Sequence, residues 1–139
     1  DGVAMRLIAG DAYGESSPVP VFSPMFYQDV QMRAHSRLTF PGPQYETGVY
    51  LVSGRLACDE QTIQAGRMAY FPPGLHPPIQ AREDSVLLLF GGERFARPRH
   101  IWWNFVSSSR DRIEQAKIRW RDGGFPSIQG ETEFIPLPE

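Results

Sequence analysis

Short apolar runs punctuated by turn residues make up most of the chain. Met5 to Ala9 and Met25 to Gln31 are apolar stretches separated by a polar loop that carries Gly14, Ser16, Ser17, Pro18 and Pro20. From Ser36 onward a strand-like run and a turn signal recur about every 8–12 residues, the spacing expected of sandwiches and barrels. Val49-Tyr50-Leu51-Val52 stops at Ser53-Gly54. Arg55 to Cys58 turns at Asp59-Glu60 into Gln61 to Gln64, and Ala65-Gly66 leads into Arg67 to Phe71. Pro72-Pro73-Gly74 ends that run, because proline removes a ladder donor and glycine favours a turn. Pro77-Pro78 marks the start of the next strand. Val86 to Phe90 is five consecutive apolar residues, the pattern of a strand covered on both faces. Gly91-Gly92, followed by Glu-Arg-Phe, reads as a turn.

One segment changes period. Ser107 to Ser109 offer N-cap hydroxyls, and Ser108 with Asp111 has the capping-box form, with Asp in place of the preferred Glu or Gln. Ile113, Ala116, Lys117 and Trp120 then recur at helical spacing, while Arg110, Glu114, Arg119 and Arg121 occupy the rest. Gly123-Gly124 is a stop signal. The apolar stripe suits docking on a sheet. The expected organisation is a single domain over 1–139: a β-barrel over 1–106, a docking helix over 107–124 and a tail over 125–139.

Composition supports that reading. A chain of 139 residues, 41% hydrophobic and 12% aromatic, is long enough to bury a core and is not globally disordered. Thirteen Gly and thirteen Pro indicate many tight turns, which fits short strands better than a helical bundle. The net charge of −2 gives no global attraction to nucleic acid or to anionic membrane. No apolar run approaches the ~20 residues of a membrane span, and no signal peptide is recognised. Cys58 is the one cysteine, so a reducing compartment, the cytoplasm, is expected. The sequence opens at Asp1 and not at Met, which is compatible with a longer natural chain.

The series "MRLIAGDAYGESSPV", "VYLVSGRLACDEQTIQAGRMAYF" and "VLLLFGGERFARPRHIWWNFVSSSRDRIEQAKIRWRDGGF" resembles the C-terminal half of pirin-family proteins in order and spacing, from about Val3 to Phe125. The Gly91-Gly92 pair and the Asn-Phe-Val-Ser-Ser-Ser lead into the helix are the most specific parts. "WWNFVSSS" resembles one subgroup's version of that lead. The resemblance implies an all-β fold: a cupin-type double-stranded β-helix, or jelly roll, with one C-terminal α-helix. It also implies a bicupin whose mononuclear iron sits in the N-terminal barrel, held by three His and one Glu. Quercetinase-like dioxygenase activity and iron-dependent transcriptional co-regulation are the family's activities, and both depend on that half.

The cupin pattern can be tested position by position. Counting back from Gly54 puts Thr47 where the pattern has its Glu, and Pro41 and Pro43 about where it has two His. None of these can ligate iron. Glu46 is adjacent, but a one-residue slip on a strand points its side chain to the other face. In the second pattern Gly66, Pro72 and Gly74 fit, but His76 arrives one residue early. It reads as a vestige of a third ligand or as a histidine beside a turn. His35 falls near a turn and His100 heads the Trp pair. No metal and no cofactor is therefore expected in this chain, and no catalytic residue.

Other chemistry is sparse. Gly-x-Ser-x-Gly and a phosphate-binding Gly-rich loop are absent from the sequence. Cys58 reads as a small core hydrophobe. The carboxylate pairs Asp59-Glu60 and Glu83-Asp84 fall in turns, where polar residues are ordinary. On a strand Trp102 and Trp103 would point to opposite faces, serving core and domain contact or a stacking platform for an aromatic ligand. Between Arg94 and Arg121 eight basic residues face two acids, Asp111 and Glu114. That excess of six positive charges suits a solvated face or an acidic partner surface. Specific DNA binding is not expected, because no reading motif accompanies the charge.

His76, Trp102, Trp103, Arg97 and Arg99 are the ligand or interface candidates. The function expected is structural and interactive: a metal-free cupin supporting an iron-bearing N-terminal cupin that this chain does not contain. Its expected partner is that N-terminal half or a second copy of the chain. Two alternatives stand beside it. One is a share in a quercetinase-type dioxygenase, to which this half would contribute cleft residues. The other is a self-associating single cupin that binds a small ligand.

Overall fold

The computed structural model describes residues 2–59 and 61–138, so the Glu60 half of the Asp59-Glu60 turn lies outside the described residues. Among the described residues twelve strands and one helix follow in chain order. They are β1 (Val3–Ala12), β2 (Glu15–Ser16), β3 (Met25–Met32), β4 (Arg37–Leu38), β5 (Glu46–Ser53), β6 (Arg55–Cys58), β7 (Gln61–Gln64), β8 (Met68–Phe71), β9 (Ile79–Ala81), β10 (Ser85–Gly92), β11 (His100–Trp102), β12 (Phe105–Ser107) and α1 (Arg110–Arg121). The chain divides after Arg94 into two compact units.

The first unit is the jelly roll. A six-stranded sheet runs β2-β1-β3-β10-β5-β8 and a four-stranded sheet runs β4-β9-β6-β7, with antiparallel pairing throughout. Period-two alternation decides what fills the space between them. β3 turns Phe26, Gln28, Val30 and Met32 inward, and β5 turns in Thr47, Val49 and Leu51. Leu56, Cys58, Ile63, Ile79 and Ala81 come from the facing sheet and join the same cluster. Burying one such Leu, Ile or Phe contributes about 1.5–3 kcal/mol.

The apolar run at 86–90 becomes β10, the central strand between β3 and β5. Leu87 and Leu89 are fully buried, whereas Val86, Leu88 and Phe90 on the outer face are half-buried. The outer cover is therefore partial, and differs from the expected burial of both faces. Gly91-Gly92 is not a turn but the end of this strand, paired with Phe26 and Met25 on one side and with Thr47 and Glu46 on the other. The Phe26 ring lies 2.7 Å from where a Cβ on Gly91 would sit. The missing side chain makes room for a core aromatic, which is a packing role and not a turn signal.

The chain crosses from one sheet to the other at Gly54, with φ +92. A Cβ there would stand 2.3 Å from Ser85 Oγ, so both the backbone and the space call for glycine. Ser85 staples the corner by accepting from the Arg55 amide at 3.2 Å and donating to the Glu83 carbonyl at 2.8 Å. Asp84 Oδ1 accepts from the Ala34 amide at 2.8 Å. The polar pair at 83–84 is thus a turn fixture.

The second unit holds β11, β12 and α1. β11 and β12 pair only with each other, Trp102 opposite Phe105 across Trp103-Asn104. The last strand read from the sequence is therefore a hairpin outside the barrel sheets. The helix is shorter than the expected 107–124. Ser109, not Ser108, is the N-cap, with extended backbone and its hydroxyl accepting from the Arg112 amide at 3.4 Å. Position N3 is consequently Arg112, so the capping box does not form, and Asp111 sits in the first turn, where it favours the helix dipole. The stop is as read: Gly123 adopts φ +67, and the Gly124 amide donates to the Arg119 carbonyl at 2.7 Å. Among the described residues no helix is long and apolar enough to cross a membrane.

Candidate functional site

The place to look in a jelly roll is its interior, where β5 enters the six-stranded sheet. Thr47 stands there fully buried, directly opposite Gly91 on β10 and Phe71 on β8. Its Oγ1 has no hydrogen-bond partner among the described residues, and neither has Oε1 of the buried Gln28. Pro41 and Pro43 lie in the loop before β5, Pro41 half-buried and Pro43 exposed. Aromatic rings close the space around Thr47. Phe26 meets Tyr45 at 5.4 Å between centroids, and Phe40 meets Phe71 at 5.0 Å.

His76 belongs to this wall. Its ring meets Phe40 edge-on at 5.0 Å, and its Nε2 lies 3.0 Å from the Tyr45 carbonyl oxygen. A carbonyl can only accept, so Nε2 carries the proton and the ring's one lone pair is on Nδ1. The other two histidines are elsewhere. His35 sits exposed in the turn after β3 with φ +68, and His100 opens β11 opposite Ser107. Among the described residues no three His, Cys, Asp or Glu side chains come together. The iron of the family fits three His and one Glu. The positions that counting aligns with those ligands hold two prolines and a hydroxyl, with His76 as the one imidazole nearby. That donor set does not suit iron.

Glu46, next to Thr47, points to the outer face as the strand parity requires. It accepts from Arg94 Nε at 2.8 Å, from Arg94 Nη2 at 2.6 Å and from the Tyr70 hydroxyl at 3.0 Å. The Arg94 hydrogen bonds first, then that of Tyr70, hold its carboxyl below the usual carboxylate range. These partners are 48 and 24 residues away in sequence, so no local spacing reveals them. Cys58 is buried in the core, and burial, then the Asp59 carboxylate, push its thiol up. A thiolate nucleophile is disfavoured there.

In the second unit the Trp pair is not two faces of one strand. Trp102 ends β11, whereas Trp103 forms the turn with φ +51. The turn folds both rings into an aromatic cluster. Trp103 meets Trp120 at 5.1 Å, Phe105 lies 6.0 Å from Phe125, and Phe134 stacks on Trp120 at 5.8 Å. The Lys117 ammonium sits 4.2 Å over the Trp102 ring, and Trp120 Nε1 donates to the Ile135 carbonyl at 2.8 Å. The helix stripe docks on the hairpin, and the tail packs back on Trp120. Arg97 and Arg99 precede the hairpin, exposed. Arg99 donates to the Arg97 carbonyl at 2.8 Å and lies 4.3 Å over the Phe95 ring. Arg99 also lines a groove of about 620 Å³ between β12 and α1. The structure thus separates His76, in the barrel, from Trp102, Trp103, Arg97 and Arg99, in the second unit.

Comparison with known proteins matches this geometry. The family described as "Pirin C-terminal cupin domain" matches residues 27–126. A pirin-like protein of Caulobacter vibrioides is 44% identical over 99% of this chain and 48% of its own length. A Pseudomonas aeruginosa protein, provisionally named as a quercetin 2,3-dioxygenase, is 29% identical over 88% of this chain and 39% of its own. A crystal structure of quercetin 2,3-dioxygenase from Acinetobacter baumannii superposes with a TM-score of 0.84 at 24% identity, over 100% of this chain and 48% of that one. The chain therefore spans about half the length of the curated relatives it matches. It belongs to the pirin family, as a pirin C-terminal cupin domain.

Proposed function

We propose that this domain is a metal-free structural cupin, cytoplasmic, that packs against and supports an iron-bearing N-terminal cupin of the same pirin-like protein. One observation carries the reading. Where a metal-bearing cupin has its carboxylate and two imidazoles, counting along this chain finds Thr47, buried in the barrel, and Pro41 and Pro43, in the loop before β5. Hydroxyl and pyrrolidine groups do not replace imidazoles as iron ligands. The half-length match to the Caulobacter relative leaves a further half in which such ligands can reside. On this reading the dioxygenase name carried by the Pseudomonas relative belongs to chemistry of that other half, and this chain supplies rigidity and contact surface.

Thermal unfolding with added metal tests the reading. A site with a Kd of about 10 μM would stabilise the fold by about 2.7 kcal/mol at 1 mM metal, a rise of roughly 8 °C for a chain of this size. Melts with 1 mM Fe(II), Ni(II) or Mn(II), under anaerobic conditions for iron, should shift by less than about 1 °C. A rise of several degrees that disappears in His76→Ala would overturn the proposal.

A further inference from the structure

The groove of about 620 Å³ between β12 and α1 lies wholly within the second unit. Arg99, Arg112 and Arg119 line it. Among the described residues the ion pairs are Arg6–Asp29, Arg94–Glu46, Lys117–Glu114 and Arg121–Asp122. None uses a groove arginine. Asp111 and Glu114 are turned about 100° and 200° around the helix from Arg112, away from the groove. Arg99 lies 4.3 Å over Phe95 and Arg119 lies 4.6 Å over Phe125. These ring contacts hold the guanidiniums in place without cancelling their charge. The floor is apolar: Phe105, the buried Ile113 and Phe125.

We propose that this groove binds an acidic, partly apolar peptide segment of a partner protein. Arg112 and Arg119 are seven residues apart on one helix face, about 10 Å along the axis. Three residues of peptide in the polyproline II conformation span nearly the same distance, at about 3.1 Å each, and bring the side chain back to the same face. A segment of that conformation with a carboxylate at every third position therefore meets both guanidiniums, and an apolar side chain between them reaches the floor. The side chains of Asn104, Ser108 and Gln115, also in the groove wall, supply amide and hydroxyl groups for the peptide backbone. A nucleic acid is the poorer fit. Phe105 and Phe125 already stack on each other at 6.0 Å and 10°, so that pair offers bases no free stacking platform, and phosphate contacts would leave the apolar floor unused. The inference stands apart from the reading of the barrel and survives its failure.

Fluorescence anisotropy tests it on the 139-residue chain. The probe is a fluorescein-labelled nonapeptide with Glu at every third position and Leu and Gly between. Its counterpart with Gln for Glu and a nine-nucleotide single-stranded DNA are the comparisons. The double variant Arg112→Gln/Arg119→Gln should weaken peptide binding about tenfold or more, and the Gln peptide should lose a similar factor. Arg110→Gln removes one positive charge away from the groove, as Arg99→Gln does within it, and should stay within about twofold. Circular dichroism checks the helix. If the double variant unfolds it, Arg99→Gln, outside the helix, should still weaken binding about threefold. Equal losses in Arg110→Gln and the groove variants would overturn the proposal. So would tighter binding of the DNA than of the peptide, or no binding of the peptide up to about 1 mM.

Discussion

Replacing Thr47 with valine isolates the feature on which the barrel reading turns. The two side chains are nearly isosteric, so the change removes one hydroxyl from a fully buried site and leaves the packing in place. That hydroxyl has no partner among the described residues, and a buried polar group without one costs about 1–3 kcal/mol. Valine is also favourable in a buried strand. Thr47→Val should therefore stabilise the domain by about 1 kcal/mol, which raises the melting midpoint by roughly 3 °C. In urea, with a slope of about 2 kcal/mol per M, the midpoint should rise by about 0.5 M at unchanged slope. Thr47→Ser keeps the hydroxyl and deletes the methyl, and should cost about 1 kcal/mol through the cavity it leaves. Equilibrium unfolding followed by far-ultraviolet circular dichroism, which is dominated by the barrel strands, reads both. A loss of about 1 kcal/mol or more in Thr47→Val would show that the hydroxyl serves a ligand, and the account of this position would be wrong.

Three further perturbations test other joints of the structure. Gly91→Ala puts a Cβ 2.3 Å from the Glu46 carbonyl oxygen and 2.7 Å from the Phe26 ring, and should cost about 2–3 kcal/mol in urea unfolding; a neutral result would contradict the packing role given to this glycine. Trp120→Phe keeps an aromatic ring but removes the donor to the Ile135 carbonyl. The loss of about 1 kcal/mol locally should raise protease cleavage after residue 125 by about fivefold, read by mass spectrometry of the fragments. The Glu46 carboxyl, held low by Arg94 and Tyr70, should titrate by NMR below an ordinary glutamate and move back up in Arg94→Ala. Because its folded value is depressed, its contribution to stability is present above the unfolded carboxylate value and is lost as the pH falls through the folded one. Both side chains are solvent-accessible, so the effect on unfolding should be small.

Strand positions were legible because each strand leaves a local trace. Pro72-Pro73-Gly74 stops β8 as read, and the apolar run at 86–90 becomes β10. Reading failed where a residue's reason lies in a distant neighbour. Gly91-Gly92 looks like a turn in sequence, yet it belongs to a strand because Phe26 occupies the space above it. The hairpin of β11 and β12 turns on Trp103 at positive φ, with no Gly or Pro in its two-residue loop to announce it. A residue of this kind rarely adopts that conformation, and here the aromatic cluster supplies the compensation. The cap moved by one serine because three consecutive hydroxyls are equivalent in sequence, and only backbone geometry selects Ser109. In the barrel, counting along the sequence could only propose positions 41, 43 and 47 for comparison with the cupin pattern, whereas the orphaned hydroxyl of Thr47 and the engagement of His76 with Tyr45 required the folded chain.

The claim that this cupin carries no metal is tested most directly by counting metal atoms. The untagged chain, expressed in medium supplemented with iron, nickel, manganese and zinc and purified without chelator, would be analysed by plasma mass spectrometry against a protein concentration from amino-acid analysis. The account requires less than about a tenth of an equivalent of each metal per chain, the level left by adventitious surface binding. About one equivalent of any of them would mean that the barrel holds a metal through ligands other than the cupin set, and the proposal that this half is structural would fall.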